Sequence, residues 1–342
     1  MAEPAAILAR LSQGESLDEL QTYDAISGIL TEGWSDAEIA AFLSHLRDKG
    51  ESADELVGAA RALLAQVVSV APPSGPLLDN CGTGGDQAGT FNVSTAAAIV
   101  VAACDVKVAK HGNRSISSRA GSADVLQELG VNLDAPPERV AQCVEEVGIG
   151  FFFAPHWHPA VSKIQKVRRG LKFRTIFNLL GALANPLQPQ LKVIGVGGAG
   201  WQEALPARMA EAIGRLGVTA ATIVVGEDGL DEVTLAGRTR ALRVTPAGIE
   251  EDLWSPEDFG LTRHTGAALQ INDVKDSAAL IRKVFAHEQG PALDVVLANA
   301  AAALLTAGVA DDLREGVARA REAVARGAAT AKLEALVRAT NA

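Results

Sequence analysis

The feature that most constrains this chain is the stretch 79–124, where glycines, small hydroxyls, amides and cations stand in place of apolar core residues. It contains Asp-Asn-Cys-Gly-Thr-Gly-Gly-Asp at 79–86, Gly-Thr-Phe-Asn-Val-Ser-Thr at 89–95, Lys-His-Gly-Asn-Arg-Ser-Ile-Ser-Ser at 110–118 and Gly-Ser-Ala-Asp at 121–124. Leu77 and Leu78 lead into the first glycines, which predicts a short strand ending in a Gly-rich turn. Glycine admits positive φ and close approach of the backbone to a ligand. Successive N–H groups in such a turn can bind an anion.

Asn92, Ser94 and Thr95 precede an apolar run, 96–103, that predicts a helix. Asn, Ser and Thr are preferred at the N-cap. A helix start also offers free N–H groups and the positive end of the helix dipole to a phosphate. Taken alone, the Gly-rich segment fits an ordinary turn between a strand and a helix about as well.

A second polar segment follows the buried strand that Val106, Val108 and Ala109 predict. Just past its expected end come Lys110, His111, Asn113, Arg114, Ser115, Ser117 and Ser118. Open α/β sheets bind ligands at the carboxyl ends of their strands. Each polar loop alone fits a solvated loop, but two of them after separate strands favour an anion site. The Walker and G-x-G-x-x-G patterns are absent, so the usual nucleotide loops do not hold the anion.

The rest of the chain predicts helices followed by alternating strands and helices. Residues 1–66 carry three capping boxes, Ser16…Glu19, Ser35…Glu38 and Ser52…Glu55, with apolar residues such as Leu20 at helical spacing after them. Beyond a Pro-rich linker, strands are expected at 77–80, 106–109, 149–153, 192–196, 220–225 and 241–244. Helices are expected near 95–104, 122–129, 137–146, 202–216 and 276–286. Such alternation predicts a largely parallel sheet with helices on both faces.

An acidic cluster, 226–232, also follows an apolar strand. Mg²⁺ prefers one or two carboxylates, waters and substrate phosphates to a full protein cage, and Asp231 with Glu232 fits that requirement. The spacing of a calcium EF-hand is missing. A plain acidic turn remains an alternative on these residues alone.

At these motifs the sequence resembles the anthranilate phosphoribosyltransferases, and the resemblance extends over essentially the whole chain. It implies an α/β fold of the nucleoside phosphorylase/phosphoribosyltransferase type. A small all-helical N-terminal domain, 1–71 joined by roughly 160–185, would accompany a larger domain, 76–342, with a mostly parallel central sheet flanked by helices. The substrate cleft would lie between the two, a common place for a ligand pocket.

The resemblance implies that phosphoribosyl pyrophosphate is the donor and that Mg²⁺ is the cofactor, held by Ser94, Asp231 and Glu232. The donor-binding residues would be Gly82, Gly85, Asp86, Thr90, Asn92, Val93, Ser94, Thr95, Lys110, His111, Gly112, Asn113, Arg114, Ser115, Ile116, Ser117, Ser118 and Ser122. The implied reaction moves the phosphoribosyl group to the amine of anthranilate and releases pyrophosphate, in tryptophan biosynthesis. No catalytic residue is certain; His111 could assist without being essential.

The acceptor site is implied by a basic segment, 163–174, and a Phe- and His-rich one, 151–159. Arg168 matches the family's arginine for the anthranilate carboxylate, because its planar fork pairs with that group. Gly82, Asn113 and His158 would join it, whereas Phe151–Phe153 are expected in the core. Two departures bear on this site: Lys172 stands where the family usually has glycine, and Ala182 where it has proline.

Composition limits the partners and the compartment. The net charge of −10 argues against broad nucleic-acid binding, and no apolar run reaches the roughly 18–20 residues of a membrane span. Three scattered cysteines and no apparent signal peptide suggest reduced thiols and a cytoplasmic protein. The resemblance implies a homodimer. Two other functions stay open: a pyrimidine nucleoside phosphorylase-like enzyme, and a non-catalytic paralogue that binds nucleic acid.

Overall fold

The N-terminal residues form four helices. The computed structural model describes residues 3–31, 33–86, 88–115, 119–197 and 204–342. The first helices are α1 (Pro4–Ser12), α2 (Glu19–Leu30), α3 (Asp36–Lys49) and α4 (Ala53–Leu64). The predicted capping boxes of α3 and α4 are confirmed, since Ser35 and Ser52 each exchange hydrogen bonds with the glutamate three residues on.

The predicted Ser16…Glu19 capping box is wrong. Asp18 is the N-cap of α2 and exchanges its hydrogen bonds with Gln21. The helix starts late because the preceding segment is bound elsewhere: the Leu17 N–H donates to the Glu55 carboxylate at 2.9 Å. Leu20, expected on the apolar face, is also misassigned, because its side chain is 69% exposed.

A seven-stranded sheet organises the rest of the chain in the order β3-β2-β1-β4-β5-β6-β7. The strands are β1 (Leu78–Asp79), β2 (Val108–Gly112), β3 (Ile149–Phe153), β4 (Leu191–Gly195), β5 (Ala220–Gly226), β6 (Thr239–Thr245) and β7 (Gly248–Trp254). The first five pair in parallel and the last two are antiparallel. The predicted fold class, a helical N-terminal part and a mostly parallel sheet, is confirmed.

Strand β7 was not predicted. Three of its seven residues are acidic and its side chains are mostly exposed, so the apolar signal of a buried strand is missing. Arg240 and Arg243 on β6 pair with acids of β7, including Glu251 at 2.9 Å and Asp252 at 2.6 Å. Cross-strand ion pairs of this kind take the place of apolar contacts on an exposed face.

Helices cover both faces of the sheet. They are α5 (Val93–Ala103), α6 (Ser122–Glu128), α7 (Pro137–Val147), α8 (Ala154–Trp157), α9 (Gln165–Leu171), α10 (Ile176–Leu183), α11 (Leu205–Arg215), α12 (Val274–Phe285), α13 (Pro291–Thr306), α14 (Leu313–Ala325) and α15 (Ala328–Asn341). Short 3₁₀ helices lie at Pro159–Ile164, Pro256–Phe259 and Gly266–Leu269. Of the described helices, none combines the length and the apolar character needed to cross a bilayer.

Alternate side chains of β4 and β5 enter two separate cores. Val193 and Val224 pack with α5 and α13 on one face. Ile194 and Ile223 face the other way, into a core shared with α2, α3, α4 and α10. Helix α9 contacts α3, and α10 contacts α4. The N-terminal helices therefore pack on the sheet through this second core; the predicted domain limits themselves stay a prediction.

Candidate active site

The carboxyl ends of the parallel strands bring three segments together. The Gly-rich loop follows β1, the N-terminus of α5 follows that loop, and the acidic loop follows β5. The Gly84 N–H donates to Asp231 Oδ2 at 2.8 Å, and the Ser94 N–H donates to Glu232 Oε1 at 3.1 Å. A small cavity is lined by Asn80, Gly82, Ser94, Gly195, Asp231 and Glu232, among others. The structure thus places the predicted Gly-rich loop and the predicted acidic pair in one site.

Glycine is required where these segments meet. A Cβ on Gly82 would collide with the Asp231 carboxylate, and one on Gly195 would collide with the Asp231 backbone carbonyl. A Cβ on Gly112 would similarly collide with the Ser122 hydroxyl. Any side chain at these positions would push away from the strand ends either the acidic loop or the segment between β2 and α6, which we call the second loop.

The two acids of the pair are electrostatically strained. Burial raises the pKa of Asp231 to about 6, and the nearby Asp86 charge adds to the effect. Burial raises the pKa of Glu232 to about 8, with the Asp231 charge as the next cause. Burial also raises the pKa of Asp86. A cation near these carboxylates would relieve both the desolvation and the mutual repulsion.

This donor set fits Mg²⁺. The part of the chain that the structure describes holds no group of three or more His, Cys, Asp or Glu side chains arranged as a metal cage. Mg²⁺ needs no such cage, since it keeps several waters and takes further oxygens from phosphates. Asp231 and Glu232 could therefore hold it, with the Ser94 hydroxyl at the adjacent helix start.

The N-terminus of α5 differs from the expectation in one respect. Asn92 is its N-cap, but the Asn92 side chain makes no capping hydrogen bond. Its Nδ2 donates to the Ala120 carbonyl at 3.2 Å, and its Oδ1 accepts from the Ser277 hydroxyl at 2.9 Å. Asn92 thus fixes the helix start to the second loop and leaves the first N–H groups to other acceptors. Thr90 forms a bridge with Gln270, while Val93 and Thr95 are buried.

Strand β2 extends further than predicted, to Gly112. Lys110 and His111 therefore lie within the strand and are buried, because Asp79 on β1 accepts the His111 N–H at 3.1 Å and continues the pairing. Lys110 Nζ lies under the Gly-rich loop, where it donates to the Asn80 carbonyl at 3.0 Å. The expectation that both side chains stand past the strand end is wrong.

The second loop is bound to α6. Arg114 pairs with Asp124 at 2.8 Å, and the Ser115 N–H donates to the same carboxylate at 3.0 Å. The Ser122 hydroxyl donates to the Asn113 carbonyl at 3.3 Å. Arg114 is thus engaged with α6. The other predicted members of this loop, Ile116, Ser117 and Ser118, lie outside the described residues.

Of the predicted acceptor residues, Arg168 lies against α10, and His158 lies beside His111, which contacts the same helix. The Arg168 guanidinium lies 5.5 Å from the ring centre of Phe177. His111 Nδ1 is 2.7 Å from the carbonyl of Gly181, four residues along the same helix face. The His158 ring centre is 5.3 Å from that of His111. Burial lowers the pKa of His111 to about 4 and that of His158 to about 3, so both rings are neutral at physiological pH. Phe151–Phe153 are buried, as expected.

The two departures from the family pattern lie at the end of α9 and within α10. Lys172 ends α9 in the left-handed conformation, with φ of +54°, where a glycine is the residue without strain. The Ala182 carbonyl accepts a hydrogen bond from the buried Lys192 ammonium at 3.1 Å. Since proline would offer the same carbonyl, nothing in the structure explains the alanine at this position.

Sequence reasoning missed a buried polar cluster beneath the site. Asp79 on β1 lies opposite Lys192 on β4 in the strand register. The Asn185 amide donates to the Asp79 carboxylate at 2.9 Å and to the Ala109 carbonyl at 2.7 Å. Burial raises the pKa of Asp79 and lowers that of Lys192. A signal was present, since each charged residue interrupts an apolar strand. The cluster fixes the strand ends from which both loops start.

Known proteins resemble the chain over nearly its full length. Residues 74–330 match the glycosyl transferase family, a/b domain, and residues 5–67 match that family's helical bundle domain. The anthranilate phosphoribosyltransferase of Anaeromyxobacter dehalogenans (strain 2CP-C) is 47% identical over 333 residues, 97% of each chain.

Solved structures point to the same family as the sequence relatives. The enzyme of that name from Thermus thermophilus has a TM-score of 0.91 at 42% identity, over 98% of this chain and 99% of that one. The Saccharomyces cerevisiae enzyme, solved in complex with PRPP and Mg, has a TM-score of 0.86 at 26% identity, over 98% of each chain. The chain belongs to the anthranilate phosphoribosyltransferases, within the glycosyl transferase family.

Proposed function

We propose that this chain transfers the 5-phosphoribosyl group of phosphoribosyl pyrophosphate to the amine of anthranilate and releases pyrophosphate, the second step of tryptophan biosynthesis from chorismate. One observation carries the proposal. Two backbone N–H groups, of Gly84 and Ser94, converge on the carboxylates of Asp231 and Glu232. N–H groups that can donate to an anion and two carboxylates that can bind Mg²⁺ therefore lie in one small site.

The reaction displaces pyrophosphate from the anomeric carbon of the ribose. Positive charge develops on the sugar and negative charge on the leaving group. Positioning of the two substrates and stabilisation of the leaving anion are therefore the useful contributions of the protein. Backbone N–H groups at the Gly-rich loop and at the start of α5 suit the anion, because they are fixed before the reaction begins.

Asp231 and Glu232 would hold Mg²⁺, with Ser94 beside them. When bound, the ion supplies Lewis-acid neutralisation of the charge on the leaving pyrophosphate. The acids accept the Gly84 and Ser94 N–H groups in this structure. If they turn toward the ion, those N–H groups become free for phosphate oxygens. This exchange would link metal binding to donor binding.

The remaining loop residues would enclose the donor. Lys110 places an ammonium under the Gly-rich loop, and Asn92 ties the start of α5 to the second loop. The donor-binding residues that the resemblance implies would surround the donor, with Asp86 as a third acid beside the pair. Gly112 and Ser122 keep the two ends of the second loop close together.

Anthranilate would lie against α10, with its carboxylate on Arg168. Burial lowers the pKa of Arg168, yet a guanidinium stays charged in proteins and pairs with a carboxylate in two parallel hydrogen bonds. Gly82, Asn113 and His158 would line the path of the ring. His111 is neutral, so it could accept a proton from the aryl amine, although an alkylated aryl amine loses its proton without a strong base.

The decisive experiment follows product formation. Purified protein is mixed with anthranilate, the donor and Mg²⁺, and the loss of anthranilate fluorescence is recorded, with omission of the donor as the control. Phosphorolysis of thymidine or uridine without that activity would favour the nucleoside phosphorylase alternative. Salt-sensitive retention on heparin in an inactive protein would favour the nucleic-acid-binding alternative. We further propose that the protein is cytoplasmic and forms a homodimer. Light scattering would test the dimer.

A further inference from the structure

Arg174 connects the helical part of the molecule to the donor site. It lies in the turn between α9 and α10, just after the left-handed Lys172. Its Nη1 donates to the Gly197 carbonyl at 2.6 Å, just past the end of β4. Its guanidinium is also 3.9 Å from the position of a Cβ on Gly85, in the Gly-rich loop.

The carbonyl that Arg174 contacts belongs to the framework of the site. The Gly197 N–H donates to the Thr83 hydroxyl at 3.2 Å, and the Thr83 N–H donates to the Gly195 carbonyl at 2.8 Å. A Cβ on Gly197 would lie 3.0 Å from Asp231 Cβ and 3.1 Å from that of Asp86. Gly197 therefore packs between the Gly-rich loop and the acids, and Arg174 binds at that junction.

The charge of Arg174 lies at the same junction. A diphosphate in the Gly-rich loop would add anionic oxygens beside this guanidinium. Arginine suits such a position because its guanidinium stays charged and its planar fork matches the geometry of phosphate oxygens.

Arg174 and Arg168 belong to one braced segment. Arg168 is six residues earlier, on α9, with its guanidinium over Phe177 of α10. Between them, the Phe173 ring lies under the Arg47 guanidinium of α3 at 4.3 Å. Thr175 then begins α10 with a capping box to Asn178. A shift of Arg174 would therefore be carried to Arg168 through a short, well-anchored turn.

We propose that Arg174 is a positioning residue that couples the donor site to the acceptor site. An anion in the Gly-rich loop would fix Arg174, and Arg174 would in turn fix the placement of Arg168 for the anthranilate carboxylate. Anthranilate should then bind more tightly when the diphosphate subsite is filled. The inference rests on the proposed function, and it assigns a role to a residue outside the donor, acceptor and metal sets.

Isothermal titration calorimetry on the full chain tests this coupling. Anthranilate is titrated alone and again with Mg²⁺ and saturating pyrophosphate, which fills the subsite without reacting. We expect pyrophosphate to tighten anthranilate binding about fivefold or more in the wild type. In Arg174→Gln the effect should fall below about twofold, while the anthranilate Kd without pyrophosphate stays near the wild-type value. Arg174→Lys should recover part of the coupling.

The matched control is Arg169→Gln, an exposed arginine of the same segment whose Nε donates only within its own helix. It should retain full coupling. Retained coupling in Arg174→Gln, or equal weakening with and without pyrophosphate, would overturn the role of Arg174. So would a wild type that forms product but shows no coupling. A wild type that forms no product would instead refute the proposed function.

Discussion

Replacing Glu232 with glutamine should make the metal-free protein more stable. Its carboxylate has a pKa raised from the ordinary 4.5 to about 8, by burial first and by the Asp231 charge next. Each pKa unit corresponds to about 1.4 kcal/mol, which gives a ceiling of ~5 kcal/mol for the ionised group. The side chain keeps some solvent contact, and the site can relax, so we expect a gain of about 2 kcal/mol.

The gain should depend on pH in a defined direction. Between pH 4.5 and about 8 the folded state holds the Glu232 proton that the unfolded chain has released. Wild-type stability therefore falls as the pH rises through this window. Glutamine removes that fall and keeps an oxygen to accept the Ser94 N–H. The gain should be below about 1 kcal/mol at pH 5 and full at about pH 8.5.

Urea unfolding at the two pH values measures this difference. The control is Glu128→Gln at the end of α6, where the side chain is exposed, and it should change stability little at either pH. Mg²⁺ with pyrophosphate should raise the midpoint of the wild type but not that of Glu232→Gln, because a ligand stabilises only the state that binds it. A gain equal at both pH values, or a loss at the higher one, would refute the electrostatic reasoning.

Three further outcomes are expected. Arg168→Ala should raise the KM for anthranilate by about tenfold or more and leave the donor KM within about twofold, since a charge-assisted bidentate pair is lost; equal changes in steady-state kinetics would contradict the assignment. Lys172→Gly should stabilise the fold by ~0.5–1 kcal/mol in urea unfolding, because a left-handed lysine is strained; a loss would show that its side chain matters. Glu55→Gln should cost about 3 kcal/mol, since it leaves Lys49 without its buried partner, and an unchanged midpoint would refute that.

Local signals in the sequence predicted much of the fold. The apolar strands and the capping boxes at Ser35 and Ser52 could be recognised because neighbouring residues alone determine them. The prediction of a capping box at Ser16 rested on the same pattern and was wrong, because Glu55, which is distant in sequence, binds the segment before α2. Strand β7 could not be predicted, because its pairing depends on Arg240 and Arg243 rather than on apolar alternation.

The candidate site was likewise only partly predictable. Its glycines and acids could be recognised as residue types at the ends of predicted strands, and the sheet brings those strand ends together. The pairing of Asp79 with Lys192 depends on the register of β1 against β4, which no local pattern specifies. The hydrogen bonds from Gly84 and Ser94 to the acids likewise need the positions of two loops that are far apart in the sequence.

The core shared by the N-terminal helices and the sheet has a consequence for dissecting the protein. Side chains such as Leu46 and Leu56 belong to a core that also contains side chains of α10 and of strands far along the chain. A fragment that stopped after α4 would leave these groups in water, and an isolated sheet would expose Ile194 and Ile223. Separately expressed halves should therefore aggregate, whereas halves synthesised together should associate through the core that they share.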